Sequence, residues 1–372
     1  MTPRHPVSTT AIRPKILLLG VHAPHNKVKD INDYFEEFIS LVTTADIKYD
    51  DTHFIKLRHV DKAHFLSKGK LHDLIALCTE LQIEEVICSE TLSSLQERNL
   101  ENLLGCKVYD REKLILEIFH NAAHTAEGKI QVEMAELEYL KTRLSGKGIE
   151  MAQQAGHIGT RGPGETEKEV IKRHLAEKLR QARKRLETLQ RSRDVQRKRR
   201  LESGIPLICL IGYTNAGKSS VLNVLTKSEL LAEDKLFATL DTTTRELFIE
   251  HTKVGLLSDT VGFISQLPHH LIEAFKSTLD ELQYAGLLLH VVDISNHAWK
   301  DQIRVVHETL DELNIRKPML YVFNKIDKLT DETRQTIESE ITEYHPSVLT
   351  HTKNKDGVSS LIQYLKNYEF KK

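Results

Sequence analysis

The feature that most constrains this chain lies in its last third. Leu207–Ile211 is a short apolar run, Gly212-Tyr213-Thr214-Asn215-Ala216-Gly217-Lys218-Ser219 follows it directly, and Ser220–Leu225 continues with helical spacing. Strand, GxxxxGK[ST], helix is the context of a phosphate-binding loop. The glycines let the backbone curl so that successive N–H groups converge beside the positive N-terminus of the next helix. Lys218 is expected to bridge the β- and γ-phosphates of a nucleotide, and the Ser219 hydroxyl to ligate Mg²⁺. Such a loop belongs to a doubly wound α/β sheet, which is the fold predicted for residues 204–372.

Two further motifs follow in order. Lys253–Ser258 reads as a strand ending in Asp259-Thr260-Val261-Gly262, a DxxG. Its carboxylate would hold the metal through water, and the Gly262 N–H would sense a γ-phosphate and couple it to a switch loop. Met319–Phe323 reads as another strand, ending in Asn324-Lys325-Ile326-Asp327. At a strand's end, NKxD reads guanine: the Asp327 carboxylate accepts from the ring N–H and the exocyclic amine. Adenine lacks that donor pair, and a site built for a donor strongly rejects a base without it. The three motifs together imply GTP and GDP as ligands and GTP hydrolysis as the reaction, with Lys218 and Gly262 taking part.

Composition sets the setting. The 372 residues suit two or three domains, and 40% hydrophobic with 28% charged residues is an ordinary globular mixture. Cys78, Cys88, Cys106 and Cys209 form no CxxC, so reduced thiols rather than disulfides or zinc are expected. No apolar run is long enough to cross a membrane and Met1–Pro14 is no secretory signal, so a cytoplasmic protein without integral membrane association is expected.

The net charge of -1 conceals an asymmetry: Val170–Arg200 holds thirteen Lys or Arg against three Asp or Glu. That stretch lacks Gly and Pro, and Leu175, Leu179, Ala182, Leu186 and Leu189 recur three or four apart, predicting a long helix with one apolar stripe and a basic face. Glu127–Leu144 predicts a second helix, with a Gly-rich loop, His157–Glu165, between the two. Residues 129–203 are therefore read as a helical hairpin. Residues 1–128 alternate strand-like and helical segments: strands Lys15–Val21, Glu85–Ser89 and Lys107–Tyr109, helices Ile31–Thr43, Leu71–Gln82 and Leu92–Leu104. An N-terminal α/β domain with a parallel sheet follows.

At this point the residues resemble a known family. Ser67-Lys68-Gly69-Lys70-Leu71, Leu95–Leu100, Val108-Tyr109-Asp110-Arg111, Leu114-Ile115-Leu116, Gln131-Val132-Glu133 and Gly159-Thr160-Arg161-Gly162-Pro163-Gly164-Glu165 are similar to the HflX family of ribosome-associated GTPases in the Obg-HflX-like superfamily. So are Gly212–Ser219, Phe237-Ala238-Thr239-Leu240-Asp241 and Asp259–Phe263. The resemblance implies that Phe237–Asp241 is switch I, with Thr239 closing on Mg²⁺ and the γ-phosphate and counted with the catalytic residues. From the residues alone, Thr242, Thr243 and Thr244 serve as well. It also implies a large-ribosomal-subunit partner with its RNA and a role in splitting stalled or idle ribosomes. A GTPase of ribosome assembly, or one acting on another structured RNA, is the alternative. No DNA partner is expected, and a monomer is. The basic helix suits RNA phosphates.

The chain departs from the family in places. Thr242 stands where a Pro is usual, Glu167-Lys168 where Gln-Leu is usual, and many members carry a further domain after the GTPase part. The base-closing motif, commonly Ser-Ala-Lys, falls on His351-Thr352-Lys353. After DxxG, Ras-like enzymes place a water-orienting Gln; here it is Phe263, which predicts slow hydrolysis alone and stimulation by the ribosome. Asn215 matches a residue that coordinates K⁺ in some related GTPases, and an Asn tolerated in a strained turn explains it equally well. The pairs His120/His124 and His269/His270 lack a third metal ligand.

Overall fold

The computed structural model describes residues 13–26, 28, 30–144, 167–202, 204–226, 235–240, 242–268, 271 and 279–370. The Gly-rich loop Gly159–Glu165, Asp241, His269 and His270 lie outside the described residues.

The N-terminal sheet is parallel, in the order β2-β1-β3-β4 (β1 Ile16–His22, β2 Asp51–Lys56, β3 Glu85–Cys88, β4 Lys107–Tyr109). Strand β1 explains the layering. Its side chains alternate between faces, and both faces are covered. Ile16 and Leu18 pack with Phe38 and Leu41 of α1 (Ile31–Thr44). Leu17, Leu19 and Val21 pack with Leu71 and Leu74 of α2 (Lys68–Leu81). That two-sided burial is why the strand reads as an unbroken apolar run. Helix α3 (Ser94–Leu104) starts with a Ser93–Gln96 capping box, and α4 (Arg111–Ala122) starts where the Asp110 side chain accepts from the Lys113 N–H.

Helix α5 (Ala126–Arg143) has two apolar faces. Val132, Ala135 and Tyr139 join the core beneath α4. Leu137 packs instead with Ile171, Leu175 and Leu179 of α6 (Glu167–Glu202). The two helices run antiparallel, because Arg183 pairs with Glu138 at 3.0 Å and the later Arg185 with the earlier Glu133 at 2.6 Å. The end of α5 is fixed by burial of Arg143, whose guanidinium meets Asp110 at 2.5 Å and Glu97 at 3.2 Å. Removing one partner of such a pair leaves an uncompensated buried charge, at a cost of about 3–5 kcal/mol.

The C-terminal sheet runs β10-β9-β8-β5-β7-β6, parallel except for the edge strand β6. Its strands are β5 Leu207–Ile211, β6 Thr243–Ile249, β7 Thr252–Asp259, β8 Leu287–Asp293, β9 Met319–Asn324 and β10 Ser347–Leu349. Ile208 and Leu210 enter one core, Cys209 and Ile211 the other, the same alternation as in β1. Its helices among the described residues include α7 (Lys218–Thr226), α8 (Trp299–Glu312), α9 (Asp331–Glu340) and α10 (Ser359–Asn367). Strands β5, β7 and β9 end on one edge and deliver the three motifs there, where ligands bind in open α/β sheets. Among the described residues no helix is long and apolar enough to cross a membrane.

Candidate functional site

The turn from β5 into α7 wraps a cleft of about 330 Å³ that Lys218, Ser219, Thr239, Gly262, Asp327 and Lys353 line together. Gly217 sits at φ +94, and a Cβ there would lie 2.4 Å from Asn324 Nδ2, so the loop's approach to β9 requires glycine. Lys218 is buried; its ammonium donates to the Gly212 carbonyl at 3.2 Å and the Tyr213 carbonyl at 2.9 Å. Burial pushes its pKa down to about 8 against the pull of Asp259. A buried ammonium whose two hydrogen bonds go to neutral carbonyls can take an anion that enters the cleft.

Opposite it, three oxygens converge. Ser219 Oγ lies 2.6 Å from Asp259 Oδ2 and 2.8 Å from Thr239 Oγ1, and Thr239 Oγ1 lies 3.0 Å from the same carboxylate oxygen. The other oxygen, Asp259 Oδ1, is buried without a partner, and burial raises the pKa of this acid. Two hydroxyls and a desolvated carboxylate suit a small hard cation. Of Thr239, Thr242, Thr243 and Thr244, Thr239 is the one bonded to Ser219 and Asp259, while Thr243 and Thr244 belong to β6 and Thr244 faces Ser258 at 3.2 Å. Gly262 closes the cleft. A Cβ on it would lie 2.9 Å from both Lys218 Nζ and Thr214 Cα, so glycine alone lets its backbone approach the loop. Phe263 is buried with Cys209, Ile211 and Leu282, while its N–H donates to the Gly212 carbonyl. Packing explains its side chain.

At the far end of the cleft, Asn324 Nδ2 donates to the Ala216 carbonyl at 3.1 Å, and Lys325 Nζ donates to the Asn215 carbonyl at 2.8 Å. Asn215 itself adopts φ 59. Asp293, which the sequence reading does not single out, holds Lys325 at 2.6 Å. Its signal was available, as the residue ending the apolar run of β8. Asp327 meets Lys353 at 2.8 Å. Burial works to raise the Asp327 pKa, but the Lys353 hydrogen bond and charge hold it below the usual carboxylate range. His351 donates its N–H to the Gly357 carbonyl, and Thr352 lines the cleft beside Lys353.

Several residues expected at the nucleotide keep their side chains elsewhere. The Tyr213 hydroxyl donates to Glu37 in the N-terminal domain, and the Thr260 hydroxyl to the Leu210 carbonyl. Phe237, Leu240 and Val261 are buried in the core shared with α1 and α4. His120 faces Glu136 at 3.3 Å, and no cluster of metal ligands occurs among the described residues. A larger cleft of about 440 Å³ opens between α1 and α8, but Asp33, Glu36, Asp301 and Glu308 line it, and that charge repels phosphate.

Phosphate loop, DxxG and NKxD at adjacent strand ends define a P-loop GTPase, which binds GTP and hydrolyses it. Residues 207–325 match the family described as 50S ribosome-binding GTPase; residues 32–120 and 122–200 match the N-terminal and middle regions of GTP-binding GTPases. GTPase HflX of Caldanaerobacter subterraneus subsp. tengcongensis is 43% identical over 317 residues, covering 85% of this chain and 72% of that protein. GTPase HflX of Escherichia coli K12 is 40% identical over 312 residues, covering 84% and 73%. The chain belongs to the HflX family of GTPases. The crystal structure of SsGBP with GDP shares the fold, with a TM-score of 0.51 over 95% of this chain and 97% of that one at 23% identity. P-loop GTPases generally carry Mg²⁺ with the nucleotide, and the oxygens of Ser219, Thr239 and Asp259 fit it.

Proposed function

We propose that this GTPase binds the large ribosomal subunit and couples GTP hydrolysis to splitting or remodelling stalled or idle ribosomes. The observation that carries the reading is the match of residues 207–325 to the 50S ribosome-binding GTPase family. The hairpin supports it. Val170, Leu175, Leu179, Ala182 and Leu186 are buried on the inner side of α6, so Lys172, Arg173, Lys184 and Arg191 stand exposed on the other. A basic helical face of this kind can run along RNA phosphates.

At the nucleotide, Lys218 would neutralise charge on the β- and γ-phosphates, and the Gly262 N–H would contact the γ-phosphate. Ser219 and Thr239 would hold Mg²⁺, with Asp259 behind them; when bound, the ion offsets phosphate charge. Asp327 would accept from guanine, with residues 351–353 closing over the base. The Phe263 side chain is apolar and cannot orient water, so backbone groups, a monovalent cation or the ribosome supply that step. The test is sedimentation with purified subunits in GTP-analogue and GDP states. Nucleotide-dependent co-sedimentation with large subunits is expected; binding to neither subunit in either state would end the proposal.

A further inference from the structure

Both segments that contact the γ-phosphate in a P-loop GTPase are held here by the N-terminal domain. On the side of the DxxG motif, Ser265 Oγ donates to Glu37 Oε1 at 2.8 Å. Arg111 Nη2 donates to the same oxygen at 2.5 Å and to the Ser265 carbonyl at 3.1 Å. The Ser265 N–H donates to the Tyr213 hydroxyl at 2.7 Å, and that hydroxyl donates to Glu37 Oε2. Burial and the Glu37 carboxylate raise the Tyr213 pKa well above its usual value, so the phenol stays a donor. Arg111 is fully buried, and in such a place a charge persists only with a partner; Glu37 supplies it.

On the side of Thr239, the Phe237 ring stands edge-on to Phe119 of α4, centroids 4.7 Å apart, and the Leu236 N–H donates to Thr44 Oγ1 at 3.2 Å. Phe237 has φ 56, a left-handed conformation that a non-glycine residue keeps only where its surroundings hold it. Part of those surroundings, Phe119 and Thr44, belongs to the other domain. Two residues on, Thr239 faces Ser219 and Asp259, the arrangement in which it can share a cation with them.

We propose that Glu37, Arg111, Thr44 and Phe119 are positioning residues for GTP hydrolysis: the N-terminal domain clasps both switch segments in the arrangement that recognises a γ-phosphate. Linkage then makes the effect reciprocal. A γ-phosphate tightens the domain contact, and the contact favours GTP over GDP. Because hydrolysis removes the γ-phosphate, the reaction loosens the clasp.

The test uses the full chain with Glu37→Gln, Ser265→Ala, their double variant, and Thr44→Val. Affinities for GDP and a non-hydrolysable GTP analogue are measured with Mg²⁺ by calorimetry. Glu37→Gln should weaken the analogue about tenfold and GDP less than about twofold, a change in ratio that damage to the fold would not produce. Glu37→Gln removes the charge that faces Arg111 and one of two acceptors, and Ser265→Ala the hydroxyl bonded to the other, so the double variant should differ from the sum of the two single effects, as members of one network do. Thr44→Val should shift the ratio the same way from the other segment. An unchanged ratio in Glu37→Gln and in Thr44→Val, whether both nucleotides weaken equally or neither does, overturns the proposal.

Discussion

Replacing Asp327 by Asn tests the guanine end of the cleft at a single atom. The carboxylate is largely enclosed, 16% exposed, and Lys353 holds it at 2.8 Å. Its pKa lies below the usual carboxylate range, the lysine outweighing burial, so it is an anion at neutral pH. As an anion it can accept from both guanine donors, each charged bond being worth about 1.5–3 kcal/mol. The amide keeps one acceptor and turns a donor toward the exocyclic amine. The loss should come to about 3–4 kcal/mol, or roughly 100- to 1,000-fold in GDP affinity. Xanthine carries an oxygen where guanine carries the amine, so the new donor becomes useful and XDP should bind the variant better than GDP does. Titrating GDP and XDP against both proteins by calorimetry gives the comparison. Unchanged GDP affinity in the variant would refute the assignment of Asp327 to the base.

Three more outcomes are expected. Because Phe263 is packed away, phosphate release by the isolated protein should be slow and rise at least about tenfold with large subunits; equal rates with and without them would reject partner assistance. A rate indifferent to KCl against NaCl would reject a K⁺ role for Asn215 alone. Replacing Gly159–Gly164 by a short Gly-Ser linker should abolish subunit dissociation, followed by light scattering, and leave GDP affinity intact; dissociation at the native rate would make the loop a connector. His290 is buried, and burial, with His307 and Lys218 adding to it, pushes its pKa down to about 3 from 6.5. Only the unfolded chain takes up that proton between those values, so stability is full above pH 6.5 and falls as pH drops toward 3, by about 1.4 kcal/mol per unit. Denaturant titrations of wild type and His290→Phe should therefore change relative to each other by about 2.5 kcal/mol between pH 7 and 4.5; parallel curves would overturn the assignment.

The nucleotide cleft was legible because its chemistry is local. Eight consecutive residues, Gly212–Ser219, both form the loop and bind. Strands such as β1 and β5 could be read because burial on both faces leaves nothing polar in them. Strand β2 hid for the opposite reason: an edge strand reading Asp-Thr-His-Phe-Ile-Lys carries no apolar run. Helix α4 begins inside a stretch quoted for its family likeness, and its buried Arg111 gave no sign of its role. Glu37 and Ser265 lie 228 positions apart and carry no motif. Contacts made by tertiary docking leave no periodicity, so the clasp was invisible until the two domains were in place.

The long helix α6 has a mechanical consequence. At about 1.5 Å per residue its 36 residues span about 54 Å. It therefore joins the end of the hairpin loop to the start of β5 as a strut, where a flexible linker would let the two drift. One end is fixed to the N-terminal domain through α5 and buried Arg143; the other reaches the GTPase domain past Gly204, which has a left-handed φ of +66 and nothing packed against it. The GTPase domain is thus joined to the rest along the chain at Gly204 and, through space, by the contacts around Glu37 and the apolar core that Phe237, Leu240 and Val261 share with α1 and α4. Were that shared surface to part, the chain at Gly204 would be the tether that remained, at the end of a rigid strut.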